Sequence, residues 1–262
     1  MDKARTLDCD AVILDLEDSV APQAKAGARE AAVAAVRGGF GPRPVVIRCN
    51  GLDTPWGQGD LAAAARAGPD AVLAPKVRSA ADIAAWSEGL AAAPAHTRLW
   101  AMIETAQAML SLAAIAARAQ DTRLAGLVIG LNDLGLELRL KLDAARTAAQ
   151  PLLSQLVVAA RAHRLLALDA VFNRIGDGEG FEAECRQGAA FGFDGKTLVH
   201  PSQIEPCNRI FSPSSDELAW ARAVVRAFAA PQAQGRGAIE LEGRMVERLH
   251  LVEAQRMLGL QD

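Results

Sequence analysis

Apolar residues along this chain come in two textures. Short runs rich in Val, Ile and Leu recur at 11–16 (AVILDL), 44–50 (PVVIRCN), 71–77 (AVLAPKV), 99–104 (LWAMIE), 126–133 (GLVIGLND), 165–172 (LLALDAVF) and 195–201 (GKTLVHP). Between them lie Ala-rich segments at 28–36, 60–67, 81–93, 108–119 and 151–163, where Ala, Leu and Ile return every three or four positions as on amphipathic helices. The runs are apolar throughout rather than alternating, which is the mark of strands covered on both faces. Repeated β-then-α units with short links imply parallel strands and right-handed crossovers. The expectation is therefore an α/β fold, either a doubly wound sheet or a (β/α)8 barrel of the TIM type.

The pattern yields seven strands, and helix-like DKARTL stands directly before the first of them, so the first βα unit reads as incomplete. After about residue 212, SSDELAWARAVVRAFAA reads as a long helix opened by Ser214 or Ser215 and acidic residues. PQAQGRGA (231–238) breaks it, AIELEG (238–243) reads as a short strand, and 244–258 as a second helix. The expected organisation is a catalytic barrel over 1–211 and a helical extension over 212–262, packed on the barrel or on a neighbouring subunit.

Charge narrows the function classes. Lys plus Arg number 28 against 31 Asp plus Glu, a net charge of −3, and no basic cluster is present, which argues against nucleic acid or an anionic membrane as partner. Apolar stretches fall short of the ~20 residues of a membrane span, and MDKARTLDCDA lacks the layout of a secretory signal. Cys9, Cys49, Cys185 and Cys207 show no metal spacing and read as reduced thiols of a cytoplasmic protein.

In parallel α/β folds the carboxyl ends of the strands collect functional groups. Those ends carry Asp15, Glu17 and Asp18; then Arg48 and Asn50; then Lys76; Glu104; Asn132 and Asp133; and finally Lys196 and His200. Glu104 and Asp133 close consecutive strands, and two hard oxygen ligands suit Mg2+ or Mn2+; a metal-free acid and base pair is the competing reading. Arg48 matches a carboxylate or enolate oxygen through two parallel hydrogen bonds, with a salt bridge to Glu17 or Asp18 as its structural alternative. Lys76 and Lys196 would permit Schiff-base chemistry, which the acidic pair and the arginine disfavour. Lys196 reads instead as support for its loop or a contact to phosphates, His200 as a structural hydrogen-bonding residue, and Asp169 equally as a pocket or a core carboxylate.

Together DAVILDLEDSVAP (10–22), VIRCN (46–50), VLAPKV (72–77), AMIET (101–105), VIGLNDL (128–134), GFDGKTLVHPSQI (192–204), FSPSSDELAWA (211–221) and GAIELEGRMVE (237–247) resemble, in order, the citrate lyase β-subunit-like branch of the HpcH/HpaI aldolase superfamily. The resemblance implies a (β/α)8 barrel, assembled as a homotrimer or hexamer. It implies Mg2+-dependent cleavage or formation of the carbon–carbon bond in a citryl, citramalyl or malyl thioester, giving an acyl thioester and a 2-oxo acid. The thiol would be coenzyme A or a carrier's prosthetic group. Glu104 and Asp133 match the metal ligands, Arg48 the arginine on the substrate's oxygens, and Glu17 and Asp18 an acidic surround. Arg48, Asp18 and Glu17 are thus the catalytic candidates; Arg48, Glu104, Lys76 and Asn132 are the substrate-binding ones. The general base stays open among Asp18, a metal-bound hydroxide and a neighbouring subunit's carboxylate.

One departure stands out: the strand with a Phe-Val-Pro-Gly type turn that opens the family is not found before DKARTL. A late start, a shortened chain or another element filling the gap would each account for it, and a barrel lacking that strand would expose two unpaired edges. Two other functions remain: a metal-dependent aldolase on free 4-hydroxy-2-oxo acids, and a non-catalytic citrate lyase-like subunit.

Overall fold

Alternation along each strand divides the sheet into two apolar faces in the computed structural model, which describes residues 3–260. Strands β1 (Val12–Asp15), β2 (Val45–Arg48), β3 (Ala71–Ala74), β4 (Arg98–Ile103), β5 (Leu124–Ile129), β6 (Leu166–Asp169) and β7 (Gly195–Lys196) are all parallel and lie side by side in sequence order. Ile47, Val72, Leu99, Ala101, Ile103, Leu127, Ile129 and Ala167 join the larger core with residues of the helices. Val46, Leu73, Met102 and Val128 form a second cluster with Ile13, Trp100 and Leu168, filling the concave interior. The result is a curled seven-stranded α/β barrel fold of the TIM type. Among the described residues no strand pairs β7 with β1.

The strands are linked by α1 (Lys25–Gly38), α2 (Gly57–Ala67), α3 (Ala80–Gly89), the broken pair α4 (Ala106–Leu110) and α5 (Leu112–Ala117), α6 (Leu131–Glu137), α7 (Gln150–Ala162), α8 (Gly178–Phe191) and α9 (Ile204–Phe211). Local chemistry sets several starts: Ser79 and Asp82 form a capping box on α3, and the Thr105 hydroxyl accepts from the Ala108 N–H at the head of α4.

Four readings of the sequence need correction. GLVIGLND is strand only through Ile129; Gly130 turns the chain and Asn132 and Asp133 lie in the first turn of α6. GKTLVHP contributes only two strand residues before His200 caps a 3-10 turn. Helices α8 and α9 were not anticipated. Finally, 244–258 begins with a strand over Arg244–Glu247 rather than as a helix.

The chain divides into two compact units, through Phe211 and from Ser212 onward. The second holds α10 (Ser215–Ala229), capped by Ser214, an antiparallel hairpin of β8 (Ala238–Leu241) and β9 (Arg244–Glu247), and α11 (Arg248–Met257). Its small core joins Ala221, Val224, Val246 and Ala254. Among the described residues no helix is long and apolar enough to cross a membrane.

Candidate active site at the carboxyl ends of the strands

Arg48 ends β2 on the face of Val46, and Glu104 follows β4 on the face of Met102, so alternation turns both toward the concave interior. Asp15 ends β1 on the face of Ile13 and meets Arg48 directly. Arg48 Nε and Nη2 donate to the two Asp15 oxygens at 2.7 and 2.6 Å, a fork-to-fork pair. Arg48 Nη1 stands 3.2 Å from Glu17 Oε2 and 4.0 Å from Asp18. The arginine is therefore tied first to Asp15, the strand-end carboxylate that the sequence reading left out of its candidate set. The cue was its spacing: Asp15 and Glu17 are two apart on one face.

The backbone at 16–17 is itself clamped. Lys25, buried, donates from Nζ to the carbonyls of Leu16 (2.9 Å) and Glu17 (2.8 Å) and to Asn50 Oδ1 (2.7 Å). Asn50 Nδ2 donates to Leu16 O and Asp60 Oδ2, and Asp60 accepts from Arg29. Asn50 is thus a structural bolt behind the rim.

Lys76 lies beyond β3 with φ at 49°. Its N–H donates to Glu104 Oε1 at 2.8 Å, while Nζ is 3.5 Å from both Glu17 Oε1 and Asp133 Oδ2. Gly130 lets Glu104 lie close: a Cβ there would stand 2.6 Å from both Glu104 Cβ and Oε2. Asn132 Oδ1 accepts from Asn173 Nδ2 at 2.7 Å, bringing in a polar group that the sequence reading did not single out.

These placements set the charges. Burial pushes the Glu17 carboxyl up to about 7 against the pull of Arg48. Burial and then the charge of Glu17 push Glu104 up to about 7 as well. Burial also opposes ionisation of Asp15, yet its bonds to Arg48 prevail and hold it at about 2. Burial disfavours the Lys76 ammonium, but the surrounding carboxylates more than offset it and raise its pKa.

The donor set fits a hard divalent cation. Glu104 and Asp133 offer oxygen ligands, and buried Glu17 Oε2 has no hydrogen-bond partner despite its nearness to Arg48. Among the described residues no group of three or more His, Cys, Asp or Glu could enclose an ion. The chain would then supply few ligands and leave positions for water and substrate, as Mg2+ sites commonly do.

Asp169 and Lys196 belong elsewhere. Lys196 Nζ donates to Asp169 Oδ2 (3.0 Å) and Glu184 Oε1 (2.6 Å), and Arg146 Nη1 donates to Asp169 Oδ1 (2.8 Å). This buried cluster joins the ends of β6 and β7 to α8, so Lys196 is sealed from phosphates and Asp169 is a core carboxylate. His200 accepts from the Ser202 N–H, a structural bond.

A seven-stranded parallel barrel with an arginine, a lysine and a set of carboxylates at one rim is the layout of a (β/α)-barrel enzyme. The sequence profile of the HpcH/HpaI aldolase/citrate lyase family matches residues 1–201. A (3S)-malyl-CoA thioesterase of Cereibacter sphaeroides is 45% identical over 260 residues, covering 99% of this chain and 89% of the relative. Citrate lyase subunit beta of Leuconostoc mesenteroides subsp. cremoris is 33% identical, covering 96% and 85%. Among solved structures, protein CitE of Mycobacterium tuberculosis in complex with magnesium, acetoacetate and coenzyme A superposes with a TM-score of 0.76 at 36% identity, over 96% of this chain and 89% of that one. The chain belongs to the HpcH/HpaI aldolase/citrate lyase family and is an enzyme of that family.

Proposed function

We propose that this enzyme cleaves, or forms, a 3-hydroxy-acyl thioester of the malyl, citramalyl or citryl type, giving an acyl thioester and a 2-oxo acid. The observation that carries the reading is Arg48, locked to Asp15 at 2.7 and 2.6 Å and facing the rim that holds Glu104 and Asp133. Glu104 and Asp133 would hold the divalent cation, Mg2+ with Mn2+ as substitute, which would supply Lewis-acid polarisation of the substrate's oxygens. Arg48 binds the substrate carboxylate or the developing enolate oxygen and cannot lose its charge. Lys76 and Asn132 complete the polar wall. Glu17, at about 7, is suited to carry a proton at neutral pH, with Asp18 beside it at the solvent edge.

A second reaction is favoured by the 45% identical thioesterase: hydrolysis of the same thioester by water. Incubation with malyl-, citramalyl- and citryl-coenzyme A separates the two. Release of a 2-oxo acid without free thiol supports cleavage of the carbon–carbon bond. Free thiol without a 2-oxo acid selects hydrolysis, and turnover of free 4-hydroxy-2-oxo acids alone rejects both. The same reading carries a cytoplasmic homo-oligomer of three or six chains; light scattering behind a sizing column gives that number.

A further inference from the structure

Lys76 contacts three of the rim carboxylates. Its backbone N–H meets Glu104, and its ammonium stands at equal distances, 3.5 Å, from Glu17 and Asp133. To do both it adopts a left-handed φ of 49°, a conformation disfavoured for residues with a Cβ. The separations are those of ion pairs without tight hydrogen bonds, and the side chain is 41% exposed. The ammonium thus occupies the acidic cluster on a flexible four-carbon stem, with an open way into solvent.

We propose that Lys76 is a tethered countercation, which neutralises Asp133 and Glu17 while no divalent ion is bound and opposes the ion's entry until an anionic substrate arrives. The inference rests on the reading of Glu104 and Asp133 as metal ligands. Its physical basis is charge. A dication entering this cluster meets the fixed positive charges of Lys76 and Arg48 at short range, where Coulomb terms are large. The carboxylate of a 2-oxo acid removes that penalty by adding negative charge beside both cations. Metal and 2-oxo acid then strengthen each other's binding, and the coupling is reciprocal. An enzyme so built holds the ion weakly when empty and firmly with substrate.

Titration of Mn2+ onto the full chain, followed by electron paramagnetic resonance with and without pyruvate, tests this without turnover. Lys76→Met removes the charge and keeps the backbone N–H to Glu104; Lys76→Gln is a second uncharged variant, and Lys76→Arg keeps the charge. Expected are Mn2+ affinities about tenfold tighter for Lys76→Met and Lys76→Gln without pyruvate, together with a smaller pyruvate effect, and Lys76→Arg close to wild type. A damaged site would bind less metal, so tightening separates a countercation from a structural prop. Equal or weaker Mn2+ binding in the uncharged variants overturns the proposal while the metal site stands. Absence of Mn2+ binding in wild type and uncharged variants alike, with pyruvate present, overturns the metal reading and this proposal with it.

Discussion

Metal-free protein should lose stability as the pH rises from about 4.5 to 7, and Glu104→Gln should remove a large part of that loss. Folded Glu104 keeps its proton up to about 7, whereas the unfolded carboxyl releases it near 4.5. Across that window the native state binds more protons than the unfolded one, so stability falls with pH and levels off above 7. A shift of this size corresponds to roughly 3 kcal/mol as an upper bound, at about 1.4 kcal/mol per unit. Glutamine is isosteric, retains the oxygen that accepts from Lys76 N–H and cannot ionise. The variant should therefore match wild type near pH 4.5 and exceed it at pH 8 by up to about 3 kcal/mol. Urea unfolding in the presence of a chelator, at several pH values between those limits, gives the difference curve directly. Because the charge of Glu17 is the second cause of the Glu104 shift, Glu17→Gln and Glu104→Gln together should gain less than the sum of the two. A Glu104→Gln variant less stable than wild type at pH 8, or a difference that does not change with pH, refutes the reasoning.

Other substitutions probe the supports of the rim. Gly130→Ala places a methyl 2.6 Å from Glu104 Cβ and Oε2, so it should weaken Mn2+ binding about tenfold or more while the circular dichroism spectrum stays unchanged. Asp15→Asn removes the charge that fixes Arg48; kcat/KM on the thioester should fall about 100-fold, close to 3 kcal/mol of transition-state stabilisation, with little change in Mn2+ affinity. The Asp15–Arg48 contribution to stability is fully present above pH 3.8 and is lost only as the pH falls towards 2, so wild type and Asp15→Asn should converge in acid unfolding curves. Lys25→Met leaves Asn50 Oδ1 without its donor and takes one of two donors from the carbonyls of Leu16 and Glu17, and should cost about 2–4 kcal/mol in urea unfolding.

The barrel was legible because a strand covered on both faces leaves a continuous apolar run, and every one of the seven runs overlaps a strand of the sheet. Boundaries were lost where apolar residues continue past a turn. Leu131 extends the run of β5, and α6 starts there without a side-chain cap that would announce it. Helix α8 escaped because Gly178, Gly180 and Gly188 interrupt its period, and β9 because RMVE runs straight into the helical RLHLVE. The hairpin signal was present in Glu242 and Gly243, whose φ values of 52° and 73° suit a tight turn between antiparallel strands. The rim's residue types could be read from strand ends, but their pairing could not. Arg48 had three carboxylates within four residues to choose from, and which one it grips depends on strand register, Asp15 lying beside Arg48 across β1 and β2.

That pairing divides the labour between two carboxylates only two residues apart. Asp15 takes the fork of Arg48 and stays ionised at about 2, so it can orient the arginine but not move protons. Glu17 receives only the edge of the same guanidinium, its buried Oε2 beside that edge has no hydrogen-bond partner, and its carboxyl rises to about 7. Neighbouring acids whose environments separate their pKa values in this way mark an orienting group and a proton-transfer group. Carbon–carbon cleavage requires a proton to leave the 3-hydroxyl, and hydrolysis requires one to leave water, so both proposed reactions need a group with the properties of Glu17. Family membership therefore leaves the broken bond open, while the environments of Asp15 and Glu17 narrow which carboxylate moves the proton.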